Sequence, residues 1–160
     1  MLEFANWIAE TGLSRLIRSE LWLIPALQSI HILAIAAVVS SALFINLRLL
    51  GKADRGHELA ATARRFLPWI WVALGVLAVT GLLLIIGEPK RELTSAPFWI
   101  KMALIVVGAL ATAWFQSTLH SGRIAWETPA SRGAVRLYAF GTLAVWVGVI
   151  SAGRLIAYIY

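Results

Sequence analysis

A chain of 160 residues that is 60% hydrophobic, 14% charged and has a mean hydropathy of +0.80 cannot hide its apolar surface inside a small soluble domain. Its 14 Lys and Arg against 8 Asp and Glu give a formal charge of +6, yet these cations fall between apolar runs rather than along one polar face, which argues against a nucleic-acid partner. The absence of cysteine removes disulfides, thiolate metal sites, iron–sulfur clusters and covalently attached c-type haem.

The first twenty residues hold acids rather than a basic leader and lack an apolar core, so no cleaved signal is expected. Residues 1–18 place Leu2, Phe4, Trp7, Ile8, Leu13, Leu16 and Ile17 among Glu3, Glu10, Arg15 and Arg18. This interrupted amphipathic pattern, with a break expected at Gly12 and Ser14, suits a segment lying in the membrane interface. Four apolar stretches follow, at about 21–47, 66–87, 98–119 and 133–156, each near the ~20 residues a helix needs to cross ~30 Å of hydrocarbon. The predicted fold is therefore all-α: an integral membrane four-helix bundle, one transmembrane domain over 1–160, preceded by an interfacial segment.

Ser19 is expected to cap the first span, with Glu20 in its first turn, and Pro25 to kink it. That span ends near Asn46–Gly51, and Asn46 either caps it or crosses to a neighbour. The basic connection becomes helical from about His57, with Pro68 marking the start of the embedded part. The second span closes at Gly87–Pro89. Pro97 opens the third, where its missing N–H costs nothing, and the third ends near His120–Gly122. The fourth runs from about Ala134 nearly to Tyr160. Trp22, Trp99, Tyr158 and Tyr160 are expected to form one aromatic belt and Trp69, Trp71, Trp114 and Trp126 the other. Gly108, Ala109, Thr112 and Ala113 in the third span, and Gly141, Gly148, Ala152 and Gly153 in the fourth, offer small-residue faces that fit internal packing or a homodimer seam.

Loop charge sets the expected topology. With the N-terminus outside, the inner connections hold Arg48, Lys52, Arg55, Arg64, Arg65, Arg123, Arg132 and Arg136; the outer segments hold Arg15, Arg18, Lys90, Arg91, Lys101 and Arg154. The positive-inside rule then favours both termini outside. The Arg48, Arg64 and Arg65 cluster reads as a topology signal and a contact for anionic lipid.

Ionisable groups inside spans are costly and face the bundle interior by preference, which makes each a functional candidate. His31 lies ~16 Å along its helix from Glu20, Lys101 ~6 Å from Pro97, Thr80 ~10 Å before Gly87, and Arg154 near the C-terminus. All belong to the outer half, and Gln28 shares the His31 face. The predicted pocket is built from Gln28, His31, Thr80, Gly81, Lys101 and Arg154, with His31 as the metal ligand. Against this stand plainer roles: an imidazole bonded to a neighbouring carbonyl, and Lys101 and Arg154 snorkelling to the interface. His57 and His120, at the opposite end, are either a ligand pair or solvated polar ends. No GxSxG, HExxH, phosphate-binding Gly loop or mid-span carboxylate is present, which disfavours hydrolysis and proton pumping. Whether the protein is an enzyme stays open, and an ion conduit ranks last because no polar stripe repeats.

The runs QSIHILAIAAVVSSALFINLRLLG, WIWVALGVLAVTGLLL and PFWIKMALIVVGALATAWFQSTLH resemble the small bacterial four-helix membrane proteins related to the copper-resistance D group. The histidine of the first span and the Phe-x-x-Lys of the third also resemble the haem-containing membrane protoporphyrinogen oxidases. The likeness covers about residues 20–158 and is nearest to an uncharacterised branch. It implies His31 as the family histidine, Thr80 and Gly81 as the second-span turn, Phe98 and Lys101 as the third-span motif, Arg154 as the fourth-span arginine and His120 as a histidine closing the third span. It further implies haem b or copper-linked redox work in the bacterial cytoplasmic membrane. Asn46 stands where relatives often carry an acid, and two methionines with no cysteine leave copper(I) without soft ligands. Haem suits the chain better: His31 axial, Lys101 or Arg154 on a propionate, Lys101 alternatively the second axial ligand, and a membrane or periplasmic redox partner. The competing expectation is a non-catalytic accessory or assembly subunit whose pocket binds lipid, quinone or a partner helix.

Overall fold

The computed structural model describes residues 2–53, 56–124 and 126–156. The expectations placed on Arg55, Tyr158 and Tyr160 fall outside those residues. The chain forms helices α1 (Leu2–Glu10), α2 (Gly12–Ser19), α3 (Leu23–Leu49), α4 (Leu59–Gly87), α5 (Pro89–Leu93), α6 (Ala96–Ser121) and α7 (Arg132–Leu155), with a short 3₁₀ turn at Pro129–Ser131 before α7 and no strand among the described residues. Four of these elements, α3, α4, α6 and α7 with its leading turn, are long and apolar enough to cross a bilayer. The chain is an all-α, multi-pass four-helix membrane bundle.

Each long helix buries one seam. On α7 the buried positions are Val135, Ala139, Thr142, Trp146, Val149 and Ala152, and on α3 they include Leu27, His31, Ala34, Val38, Ala42 and Ile45. Steps of three and four residues keep such a seam on one face of a helix. The opposite faces carry exposed Ile32, Leu33, Val72, Val79, Leu110 and Val147, the outward apolar surface that lipid would cover. Helix α3 lies along α4 and, over a shorter length, against α7; α6 lies along α7. By contrast α4 and α6 meet briefly, and α3 and α6 are not packing neighbours. The bundle is thus closed along three seams and loose along the α4–α6 seam.

The α6–α7 seam rests on glycine. A Cβ on Gly108 would stand 3.0 Å from Cζ2 of Trp146, and one on Gly148 would stand 3.0 Å from Cδ1 of Leu104. Two large side chains therefore seat on bare backbone of the facing helix. Gly141, expected on the same face, has nothing within 4 Å of its Cβ position. Gly51 and Gly122, at φ +66° and +63°, follow α3 and close α6 in the left-handed region that favours glycine.

Several local expectations are corrected. Ser19 does not cap the first span: it ends α2, its hydroxyl donating to Leu16 O at 2.9 Å, and α3 starts after Trp22 without a side-chain cap. Pro25 falls in the first turn of α3, where its missing N–H leaves no intrahelical bond unmade. The α1/α2 break sits at Thr11, whose hydroxyl oxygen accepts from Ser14 N at 3.3 Å. Trp126 is no belt residue. Only 5% exposed, it packs edge-on against Phe115 and Trp114 and beside Tyr138, because the α6–α7 connection folds back over the end of the bundle.

The N-terminal helices do more than lie at a surface. Helix α1 packs on α5 and α2 on α4, with Ala5 and Ile17 buried. Ile17 Cγ2 sits 2.9 Å from where a Gly87 Cβ would be, so the α4 terminus accepts α2 only because residue 87 has no side chain. Arg15 donates to Glu10 O at 2.7 Å and Arg18 donates to Ala9 O, tying the two short helices together. They form a cap over the end of the bundle that carries His31.

Candidate functional site at His31

His31 occupies a seam position on α3, two turns below the helix start, so its ring is driven into the bundle and is 8% exposed. Thr80 occupies the matching position on α4 and is also buried. The Thr80 hydroxyl donates to Val76 O at 2.7 Å, which commits its one proton. The 2.7 Å contact between His31 Nδ1 and Thr80 Oγ1 is then a donation from the ring N–H. It follows that Nε2 keeps its lone pair, and Lys101 Nζ on α6 stands 3.5 Å from it. A directional chain runs Lys101, His31, Thr80, Val76 carbonyl, across three helices.

Two glycines flank this chain. A Cβ on Gly81 would stand 3.5 Å from His31 Cε1, and one on Gly153 of α7 would stand 3.9 Å from Lys101 Nζ. Larger side chains at either position would occupy the space beside the two nitrogens. Lys101 is half-buried, and its charge reaches Glu92 on α5: burial pushes the Glu92 carboxyl above its ordinary range, while Lys101 and Arg91 pull it back and Glu88 pushes it up.

His31, Thr80, Gly81 and Lys101 are brought together as the sequence placed them. Gln28 is half-buried one turn earlier on α3 but does not bond His31, whose ring nitrogens face Thr80 and Lys101. Arg154 is exposed, next to Gly153 near the end of α7, and Phe98 is buried in a small cluster with Ala5, Leu93 and Ile156. His57 and His120 are exposed; the His57 carbonyl accepts from Arg48, and His120 Nδ1 lies 2.8 Å from Gln116 O. Among the described residues no three His, Cys, Asp or Glu gather as a metal site. Sequence reasoning missed the Lys101–Glu92 coupling and the closeness of Gly153 to Lys101; Gly153 was visible as a small residue, but the facing of α6 and α7 was not. His31 lines neither the cavity beside Arg48 and Trp126 nor the open hollow beside His120.

A second polar layer joins α3 and α7. Asn46 crosses rather than caps: its Nδ2 donates to Thr142 Oγ1 at 3.0 Å, and both residues are buried. The Thr142 hydroxyl in turn donates to Tyr138 O at 2.9 Å.

Compared with known protein families, residues 7–159 match the model of DUF6644, described as a family of unknown function. The chain belongs to DUF6644. No curated protein and no solved structure matches this DUF6644 chain. The pairing of His31 with Lys101 across non-adjacent helices therefore has to be read from its own chemistry.

Proposed function

We propose that this protein is a small membrane redox protein that holds b-type haem between His31 and Lys101. One observation carries the reading: an imidazole and an amine nitrogen, borne by helices that do not pack on one another, face each other across 3.5 Å. Two nitrogen donors are too few for a bare zinc ion, which takes four ligands. A porphyrin iron brings its in-plane nitrogens and asks the protein only for axial partners. His31 and Lys101 would supply the two nitrogens such a group needs, and the bundle would have to part along the loose α4–α6 seam to admit the ring, because Gly81 and Gly153 already stand in contact distance of these two side chains.

The chain's own residues would divide the work. Thr80 orients the imidazole and holds its Nδ1 proton, the outer bond that fixes the tautomer of a ligating histidine. Lys101 presents the second nitrogen. Arg154, exposed near the end of α7, would be the cation for a propionate, and the α1/α2 cap covers this end of the bundle. Haem bound there supplies one-electron chemistry. The cytoplasmic membrane as location, both termini outside and a membrane or periplasmic redox partner belong to the same proposal, supported by loop charge and by the resemblance to copper-resistance D and protoporphyrinogen oxidase proteins.

The test is an absorption spectrum of detergent-purified protein after haem-replete expression, oxidised and dithionite-reduced. A Soret band that disappears in His31→Ala and shifts or weakens in Lys101→Met is expected. A colourless wild type, with His31→Ala unchanged in stability and partner binding, overturns the reading in favour of an accessory subunit.

A further inference from the structure

A cavity of about 390 Å³ opens at the other end of the bundle, where α3 finishes and α4 and α7 begin. Its volume is that of a small-ligand site. Leu59 and Trp126, both buried, are among its apolar lining, and Arg48, Glu127, Arg132 and Arg136 supply its charge. Arg48 is held in place: its Nε and Nη2 donate to His57 O at 3.0 and 2.6 Å, and Nη2 meets Glu127 Oε1 at 2.5 Å. Arg132 and Arg136 are different. They stand one turn apart on α7, and neither makes a hydrogen bond or ion pair with another described residue.

Like charges at this spacing repel, and the N-terminus of α7, which starts at Arg132, adds the positive end of a helix dipole. Among the described lining residues one carboxylate faces three guanidiniums. Guanidinium forks match phosphate oxygens in geometry as well as charge. Apolar surface meeting a cationic rim at the end of the lipid-crossing helices is the arrangement that takes an amphiphile with an anionic head.

We infer that this cavity binds a phosphate anion, presented by the headgroup of an anionic phospholipid. Arg132 and Arg136 grip the phosphate, Arg48 is the fixed third cation, and Glu127 competes with the ligand for Arg48. The inference is independent of whether His31 binds haem.

Native mass spectrometry of the full-length protein, released from detergent after incubation with phosphatidylglycerol, phosphatidylcholine or inorganic phosphate, tests it. One retained phosphatidylglycerol is expected, in preference to phosphatidylcholine, and weakened on the order of tenfold or more in the double variant Arg132→Gln/Arg136→Gln. Glu127→Gln should strengthen retention, which keeps the question answerable if the double variant fails to fold. Inorganic phosphate that leaves the lipid in place supports the lipid source, whereas phosphate that displaces it supports the same site with a soluble occupant. Equal retention of both lipids, unmoved by either variant, overturns the inference.

Discussion

At the end of the bundle where α3 and α6 begin, polar side chains from three helices share one chain of contacts, Lys101 to His31 to Thr80. At the end where α3 finishes and α7 begins, the interior is aromatic: Phe115, Trp126 and Tyr138 stack and cross with ring centroids 5.1 to 5.5 Å apart, and the charges stay at the rim with Arg48, Arg132 and Arg136. Both ends meet the same constraint, that a polar group in a lipid-facing fold needs a protein partner. The first meets it by pairing a histidine, a lysine and a threonine in the interior, the second by burying only neutral polar groups, such as the Asn46–Thr142 pair beside the aromatic cluster, and leaving the charges at the rim. Stability should therefore concentrate at the aromatic end, and chemistry at the His31 end.

The largest expected effect tests that division. Trp126→Ala removes a buried indole from a four-ring cluster and should cost about 3–5 kcal/mol, read by denaturant unfolding in detergent. A loss below ~1 kcal/mol would erase the contrast between the two ends.

The polar end should respond weakly. A double-mutant cycle on His31→Ala and Thr80→Val measures the coupling of that pair, expected at about 0.6 kcal/mol and no more than ~1.7. A coupling as large as the Trp126 effect would make His31 a structural keystone instead of a ligand.

The smallest effect lies just outside the spans. Burial raises the Glu92 carboxyl, so the folded chain holds that proton more tightly than the unfolded chain, a stabilisation complete in acid and lost as pH climbs through the raised value. Thermal unfolding of wild type should accordingly gain on Glu92→Gln as pH falls from neutral towards the ordinary carboxylate range. A constant difference across that range would mean Glu92 does not titrate with folding.

Much of this was legible in the residues because membrane helices announce themselves by length and apolarity. The four helices, the burial of His31 and the gathering of His31, Thr80 and Lys101 at one depth all follow from counting along spans, whereas Asn46 could be read as a cap or a crossing until Thr142 was seen opposite it. Trp126 was misread because belt placement counts depth and says nothing of direction, and the indole turned inward onto Phe115. Ser19 was misassigned because a serine before an apolar run looks like a cap whether or not a short helix already contains it. The rim arginines were visible as charges, but their cavity arises where a loop folds back across two helix ends.

The amino-acid order by itself determined that this chain lives in a bilayer and that one imidazole is carried into it, since hydrocarbon selects long apolar helices irrespective of how they pack. Only the tertiary structure decided that α3 and α6 stand apart, that Lys101 faces His31 across that separation, and that Arg48, Arg132 and Arg136 share one cavity. Those relations depend on which faces the helices turn to one another, and that is settled by close packing such as Trp146 on Gly108, between residues far apart in the chain.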